Sequence, residues 1–192
     1  MIRDVYQTLE NREIDGVEIN GPFLCDRSNA WLGPGYYFWD SHKENAHWWG
    51  KEVAKYPAGY IICKSTITFD DKCFDLHDNP DHQRTFNKMK DMFLEKGLLE
   101  EGQTTVGRIM NFIKTQIDSF PFEAIRAYAV NSKGYKSSFN QRTRFVHKEY
   151  RESNQYLDTL PAIQICLFTK NSLDRKGYSI VYPPEYSKGY VV

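Results

Sequence analysis

From Gly33 to Gly50 the chain reads Gly-Pro-Gly-Tyr-Tyr-Phe-Trp-Asp-Ser-His-Lys-Glu-Asn-Ala-His-Trp-Trp-Gly, a glycine hinge that runs without a gap into aromatics and on to two tryptophans. Glycines at 33 and 35 around Pro34 allow a tight backbone approach, and the aromatics that follow favour an extended strand. Ser41 followed by Glu44 has the form of a capping box, in which each side chain satisfies a backbone N–H at the start of a helix. The pattern therefore predicts a strand, a turn at Asp40-Ser41 and a helix over 43–54. A helix folded back over the strand can hold Tyr37 and Trp48 on facing walls of a cleft that suits a flat ring. The plainer reading of Tyr36 to Trp39 and of Trp48-Trp49 is core packing, since 15% of the chain is aromatic.

The stretch from Gly33 to Trp48 resembles the nicotinamide-binding segment of ADP-ribosyltransferases of the diphtheria-toxin and poly(ADP-ribose) polymerase type. Gly33-Pro34-Gly35-Tyr36-Tyr37-Phe38 matches the strand of that segment, Asn45 its small polar residue, Ala46 the small residue after it and Trp48 its second aromatic. The resemblance implies NAD as the bound molecule, with Gly35 at the close backbone approach, Tyr37 and Trp48 sandwiching the nicotinamide and Asn45 near its carboxamide. A cationic pyridinium is attracted to electron-rich ring faces.

The family's remaining positions match less well. A glutamate on a late strand bonds the ribose hydroxyl in such enzymes. The strand Pro161 to Thr169 carries Gln164 there, whose amide can bond the hydroxyl but supplies no full negative charge. The alternative for Gln164 is a polar residue on the solvent side of a half-buried strand. An N-terminal histidine is typical of the polymerase-like branch, and Gln7, in the short strand-like run Val5-Tyr6-Gln7-Thr8, takes its place. Arg3 would suit the arginine-led branch, or is a solvated charge near the terminus. Arg27 could meet a pyrophosphate, because a guanidinium fits a phosphate bidentately, or form a surface turn with Asp26. Asp75, Asp78, Glu149, Glu152 and Asp158 are other carboxylates, expected in loops or at the surface.

Composition narrows the classes. A chain of 192 residues, 41% hydrophobic and 26% charged, is expected to form one domain over 1–192. Lysine plus arginine equals aspartate plus glutamate at 25 each, which gives no global attraction to polyanions or anionic lipid. No apolar run is long enough to span a bilayer and Met1-Ile2-Arg3-Asp4 lacks a signal-peptide core, so no membrane partner and a cytoplasmic location are expected. Cys25, Cys63, Cys73 and Cys166 lack Cys-x-x-Cys spacing and read as free thiols. The histidines show no ligand spacing, so no metal is expected.

Alternation over 60–69 predicts a long strand with Ile61, Cys63, Ile67 and Phe69 on one face. A short strand at 73–76, helices over 83–96 and 104–117, and strands over 124–130, 163–169 and 177–182 follow. Segment 131–143, with Lys133, Lys136, Arg142 and nearby Arg144, reads as a basic loop. The order predicts an α+β fold with a mostly antiparallel sheet and a helical layer or insertion at 83–117, in agreement with the split, twisted sheet that the resemblance implies. Three functions remain open. The first is a mono-ADP-ribosyltransferase that uses NAD, of the kind found in toxins or defence effectors, acting on a protein or nucleic-acid acceptor. The second is an inactive module of the same fold that binds NAD or ADP-ribose. The third is an RNA- or DNA-binding protein whose aromatics stack bases.

Overall fold

Among the described residues every strand pairing but one short one is antiparallel. The computed structural model describes residues 1–11, 16–117, 120–128, 142–145 and 156–187. The strands are β1 (Ile2–Glu10), β2 (Tyr36–Asp40), β3 (Tyr60–Thr68), β4 (Cys73–Asp75), β5 (Ala124–Tyr128), β6 (Arg142–Arg144), β7 (Tyr156–Asp158), β8 (Ile163–Leu167) and β9 (Lys176–Tyr182). Seven of them form a sheet in the order β4-β5-β8-β2-β1-β3-β9, in which only β4 and β5 run parallel. Strands β6 and β7 pair separately. The helices are α1 (Val17–Asn20), α2 (Lys43–Trp48), α3 (Pro80–Glu95) and α4 (Val106–Gln116). The fold is α+β, with a mostly antiparallel sheet. No described helix is long and apolar enough to cross a membrane.

Strands β1 and β2 meet over two residue pairs only, Val5 with Asp40 and Tyr6 with Trp39. Past them the strands splay, and the amide of Gln7 fills the opening. Its Nε2 donates to the carbonyls of Phe23 (3.0 Å) and Tyr37 (3.2 Å), and its Oε1 accepts from Phe23 N–H (2.9 Å) and the Tyr178 hydroxyl (2.6 Å). Both ends of Gln7 are thus spent on holding the splayed sheet.

One face of the sheet carries the larger core, with Val5, Phe38, Ile61, Cys63, Ile165 and Ile180 buried together. The opposite face is covered in two separate patches. Helices α3 and α4 cover Phe74, Ile125 and Cys166, while α2 covers Trp39 and Ile62. Opposite pairs in the register place Tyr37 with Cys166 and Trp39 with Gln164 on this divided face.

Several expectations shift. The Ser41–Glu44 capping box is not formed: Ser41 takes a left-handed backbone (φ 62°), its hydroxyl donates to Asp40 (2.8 Å), and His42 is the N-cap. The helix expected over 43–54 is α2 followed by a π-turn at Trp49–Val53, closed by Ala54 N–H donating to Trp49 O (2.8 Å). Helix α3 starts earlier than expected, because Asn79 caps it by accepting from Asp81 and His82 N–H with Pro80 at the first position. Strand β8 is buried on both faces, which displaces the solvent-side reading of Gln164. Lys133, Lys136, Glu149 and Glu152 lie outside the described residues.

Charges anchor one end of the sheet. Arg126, 3% exposed on β5, donates to Asp40 (2.7 Å), Asp75 (2.9 Å) and Asp78 (2.7 Å), and Arg3 donates to Asp40 (2.8 Å). Asp75 is therefore a buried partner of Arg126 rather than a surface charge, and Arg3 is engaged rather than solvated. Removing the central cation leaves Asp40 and Asp75 buried and underpaired, so Arg126→Met is expected to lower unfolding stability by about 3–5 kcal/mol in urea at neutral pH. The Arg126 guanidinium also holds the Asp78 carboxyl below the usual carboxylate range. A depressed carboxyl stabilises the fold above its unfolded value and loses that contribution as the pH falls. The wild type should therefore lose stability below about pH 4 more steeply than Asp78→Asn does.

Candidate functional site

The turn before β2 sets the geometry of everything near it. Tyr37 donates its hydroxyl to the Gly33 carbonyl (2.6 Å) and accepts from Leu32 N–H (2.7 Å), so its phenol is locked onto its own hinge. Burial holds that hydroxyl protonated far above the ordinary phenol range. It is a positioning group, not a proton acceptor at neutral pH. Gly33 adopts φ +81°, and a Cβ at Gly35 would lie 2.3 Å from Cys166 Sγ and 2.7 Å from the Leu167 carbonyl. The close approach expected at Gly35 exists, and it is made to β8. A Cβ at Gly107 would lie 2.6 Å from the Ala30 carbonyl, so the strap 28–31 rests directly on α4.

The strap divides the space over the sheet into two chambers that share Asn29, Ala30, Trp31 and Gln164 as lining. The smaller, about 280 Å³, opens where β1 and β2 splay, between Thr8, Leu9 and Glu10 on one side and Tyr37 and Trp39 on the other. Trp49, Tyr56 and Arg27 complete its walls. The larger, about 720 Å³, lies between the strap, α3, the start of α4 and the end of β5.

Gln164 is the floor of both. It is 7% exposed, and its Oε1 is the buried side-chain polar atom left without a hydrogen-bond partner among the described residues. An orphaned buried acceptor costs about 1–3 kcal/mol, so a donor brought by a bound molecule would be paid for in advance.

The aromatic wall differs from the expected one. Trp48 is 8% exposed and packs edge to face on Trp39 (5.8 Å between centroids) with Ala46 and Ile62, away from both chambers. Trp49 faces the smaller chamber in its place, 5.8 Å from Trp39 and 5.5 Å from Trp31. Trp48 and Trp49 are consecutive helical residues, so they point in directions about 100° apart, and it is the second that meets the cleft. Gly50 lets the π-turn press on Tyr60, against which a Cβ would stand 2.5 Å away. Asn45, 4% exposed, donates its side-chain N–H to the Pro161 carbonyl (2.8 Å) and so ties α2 to the segment before β8 rather than lining the cleft. Gln7 lines the smaller chamber but has no amide end to offer a ligand. Arg27 lines the same chamber from an exposed position, with Asp26 and Glu10.

The structure thus brings Tyr37, Arg27, Gln164 and the edge of Gln7 to one chamber, and places Trp48 and Asn45 elsewhere. Sequence reasoning missed Trp31, Trp39, Trp49 and Glu10. The Trp48-Trp49 doublet was the available signal for one of them. All four cysteines are free, and burial pushes the Cys166 thiol up to about 12. Among the described residues no cluster of histidine, cysteine and carboxylate side chains has the geometry to hold a metal. No protein-family model, curated protein or solved structure matches this chain.

Tyr37→Phe removes both hydrogen bonds of the hinge. It is expected to cost about 1–3 kcal/mol of stability. Loosening of the strap should also raise acrylamide quenching of tryptophan fluorescence above that of the wild type at equal folded fraction.

Proposed function

We propose that this chain is a NAD-binding protein with an ADP-ribosyltransferase-like fold, which holds the nicotinamide riboside end of the dinucleotide in the smaller chamber. The observation that carries the reading is a chamber lined by Tyr37, Trp39 and Trp49 together with Gln164, a buried residue whose Oε1 has no hydrogen-bond partner among the described residues. A ribose hydroxyl can bond the Gln164 amide, and a cationic pyridinium is the ring that Tyr37, Trp39 and Trp49 suit. The chamber's 280 Å³ fits one end of a dinucleotide rather than the whole. Arg27 at its rim offers the pyrophosphate a cation.

Binding without turnover is the form of this function that the chemistry favours. Cleavage of the bond between nicotinamide and ribose builds positive charge on the ribose, and a neutral amide at the floor offers it no countercharge. Gln7, at the place of the family's histidine, is committed to Phe23, Tyr37 and Tyr178. One observation favours the transferase alternative: Glu10 puts a carboxylate in the same chamber.

Calorimetric titration with NAD, read together with chromatography for free nicotinamide, tests both. Saturable binding is expected, weakened about tenfold or more in Trp49→Ala and in Gln164→Leu and little changed in the exposed control Leu98→Ser, with no nicotinamide released. Release that Glu10→Gln abolishes selects the transferase. Absence of binding by NAD and ADP-ribose overturns the proposal.

A further inference from the structure

The larger chamber is a different environment from the smaller one, although a strap only a few residues wide separates them. Its described lining holds no lysine, arginine, histidine, aspartate or glutamate. Trp31, Leu32, Leu76, Phe86, Val106, Ala127 and Tyr128 give it apolar and aromatic surface, and the carboxamides of Asn29, Gln83, Asn87 and Gln164 stand among them. Gln83 spends its Nε2 on the carbonyls of Leu76 (3.0 Å) and His77 (3.2 Å), which leaves its oxygen end to face outward from that contact. Tyr128 is held by its hydroxyl donating to Asp158 (2.8 Å), so the ring is a fixed wall.

Charge decides what can enter. A carboxylate, guanidinium, ammonium or phosphate placed here would give up part of its hydration and find no opposite charge in the described lining. The pyrophosphate of a dinucleotide is thereby directed to the Arg27 side of the strap. What suits the chamber is a neutral, flat, heteroaromatic group whose edge can donate to and accept from the carboxamides of the lining.

We infer that the larger chamber is a second binding site, separate from that of the dinucleotide, for a nucleobase bearing an exocyclic amino group. The base lies against Trp31, Phe86 and Tyr128 and meets the carboxamides of Asn29, Gln83 and Asn87 with its edge, its amino N–H donating to a carboxamide oxygen. This is how single-stranded bases are read elsewhere, by stacking on fixed rings and hydrogen bonding along an edge. The inference stands on this chamber's lining and does not depend on what the smaller one holds.

Adenosine, guanosine and cytidine, titrated into the full chain with and without saturating NAD, test it. At least one nucleoside is expected to bind at least tenfold more tightly than its dimethylamino analogue, which keeps the ring and lacks the donor. Saturating NAD should leave that affinity within a factor of three. Val106→Trp, which fills the chamber from an exposed position at the start of α4, and Asn87→Leu, from the exposed side of α3, should each weaken it tenfold or more. Nucleoside binding that persists when NAD fails to bind leaves this inference standing and removes the reading of the smaller chamber. The inference is overturned if no nucleoside binds at millimolar concentration, if the dimethylamino analogues bind equally well, or if NAD displaces the nucleoside competitively.

Discussion

The Tyr37 phenol, hydrogen-bonded to both Leu32 and Gly33, is the contact on which the candidate site depends. It fixes the direction in which the chain leaves the sheet, and with it the strap that roofs both chambers. The two glycines supply what the lock needs. Gly35 lets the hinge lie on β8, and Gly107 lets the strap lie on α4. A side chain at either place would drive the strap away from the floor it covers, and overpacking of that kind typically costs about 1–3 kcal/mol. Tyr37 therefore shapes the cleft through its hydroxyl as much as through its ring.

A second constraint follows from how the sheet is covered. Helices α3 and α4 pack over one end of a face and α2 with its π-turn over the other, and the strip between them belongs to β8. On that strip a buried glutamine stands with its oxygen unpartnered. A folding chain gains nothing from this arrangement, since an apolar side chain at the same place would fill the space without the desolvation penalty. The residue that carries this penalised acceptor lines both cavities. The splay of β1 from β2 is part of the same construction, because it opens the smaller chamber, and Gln7 repairs the backbone pairing that the splay forfeits.

Much of the architecture was legible because alternation and capping are local. The long β3, the glycine stop after α3 at Gly97 and the apolar face of α4 follow from spacing alone, and the mostly antiparallel sheet follows from their order. The site was legible in kind and displaced in detail. Ring-bearing residues after the hinge were expected to wall a cleft and do so, yet Trp49 stands where Trp48 was expected. That choice rests on how α2 docks over the sheet, where Gly50 packs against Tyr60, a contact between segments that no periodicity encodes. Asn45 and Gln7 were expected to face a ligand and instead bond Pro161 and Phe23, because buried amides take the backbone groups that tertiary structure brings within reach. Gln164 was found by its place on a late strand. Its burial on both faces came from helices whose docking the sequence does not state.

The central claim is that Gln164 is held at the floor for a ligand and not for the fold. Its most direct test is the unfolding free energy of Gln164→Met, which keeps the length of the side chain and removes the amide, measured in urea without ligand beside the wild type. The variant should be as stable as the wild type or more stable, by up to about 1–2 kcal/mol, since it relieves an unsatisfied buried oxygen. A loss of 2 kcal/mol or more, about the cost of breaking structural hydrogen bonds, would show that the amide serves the fold and would contradict the account.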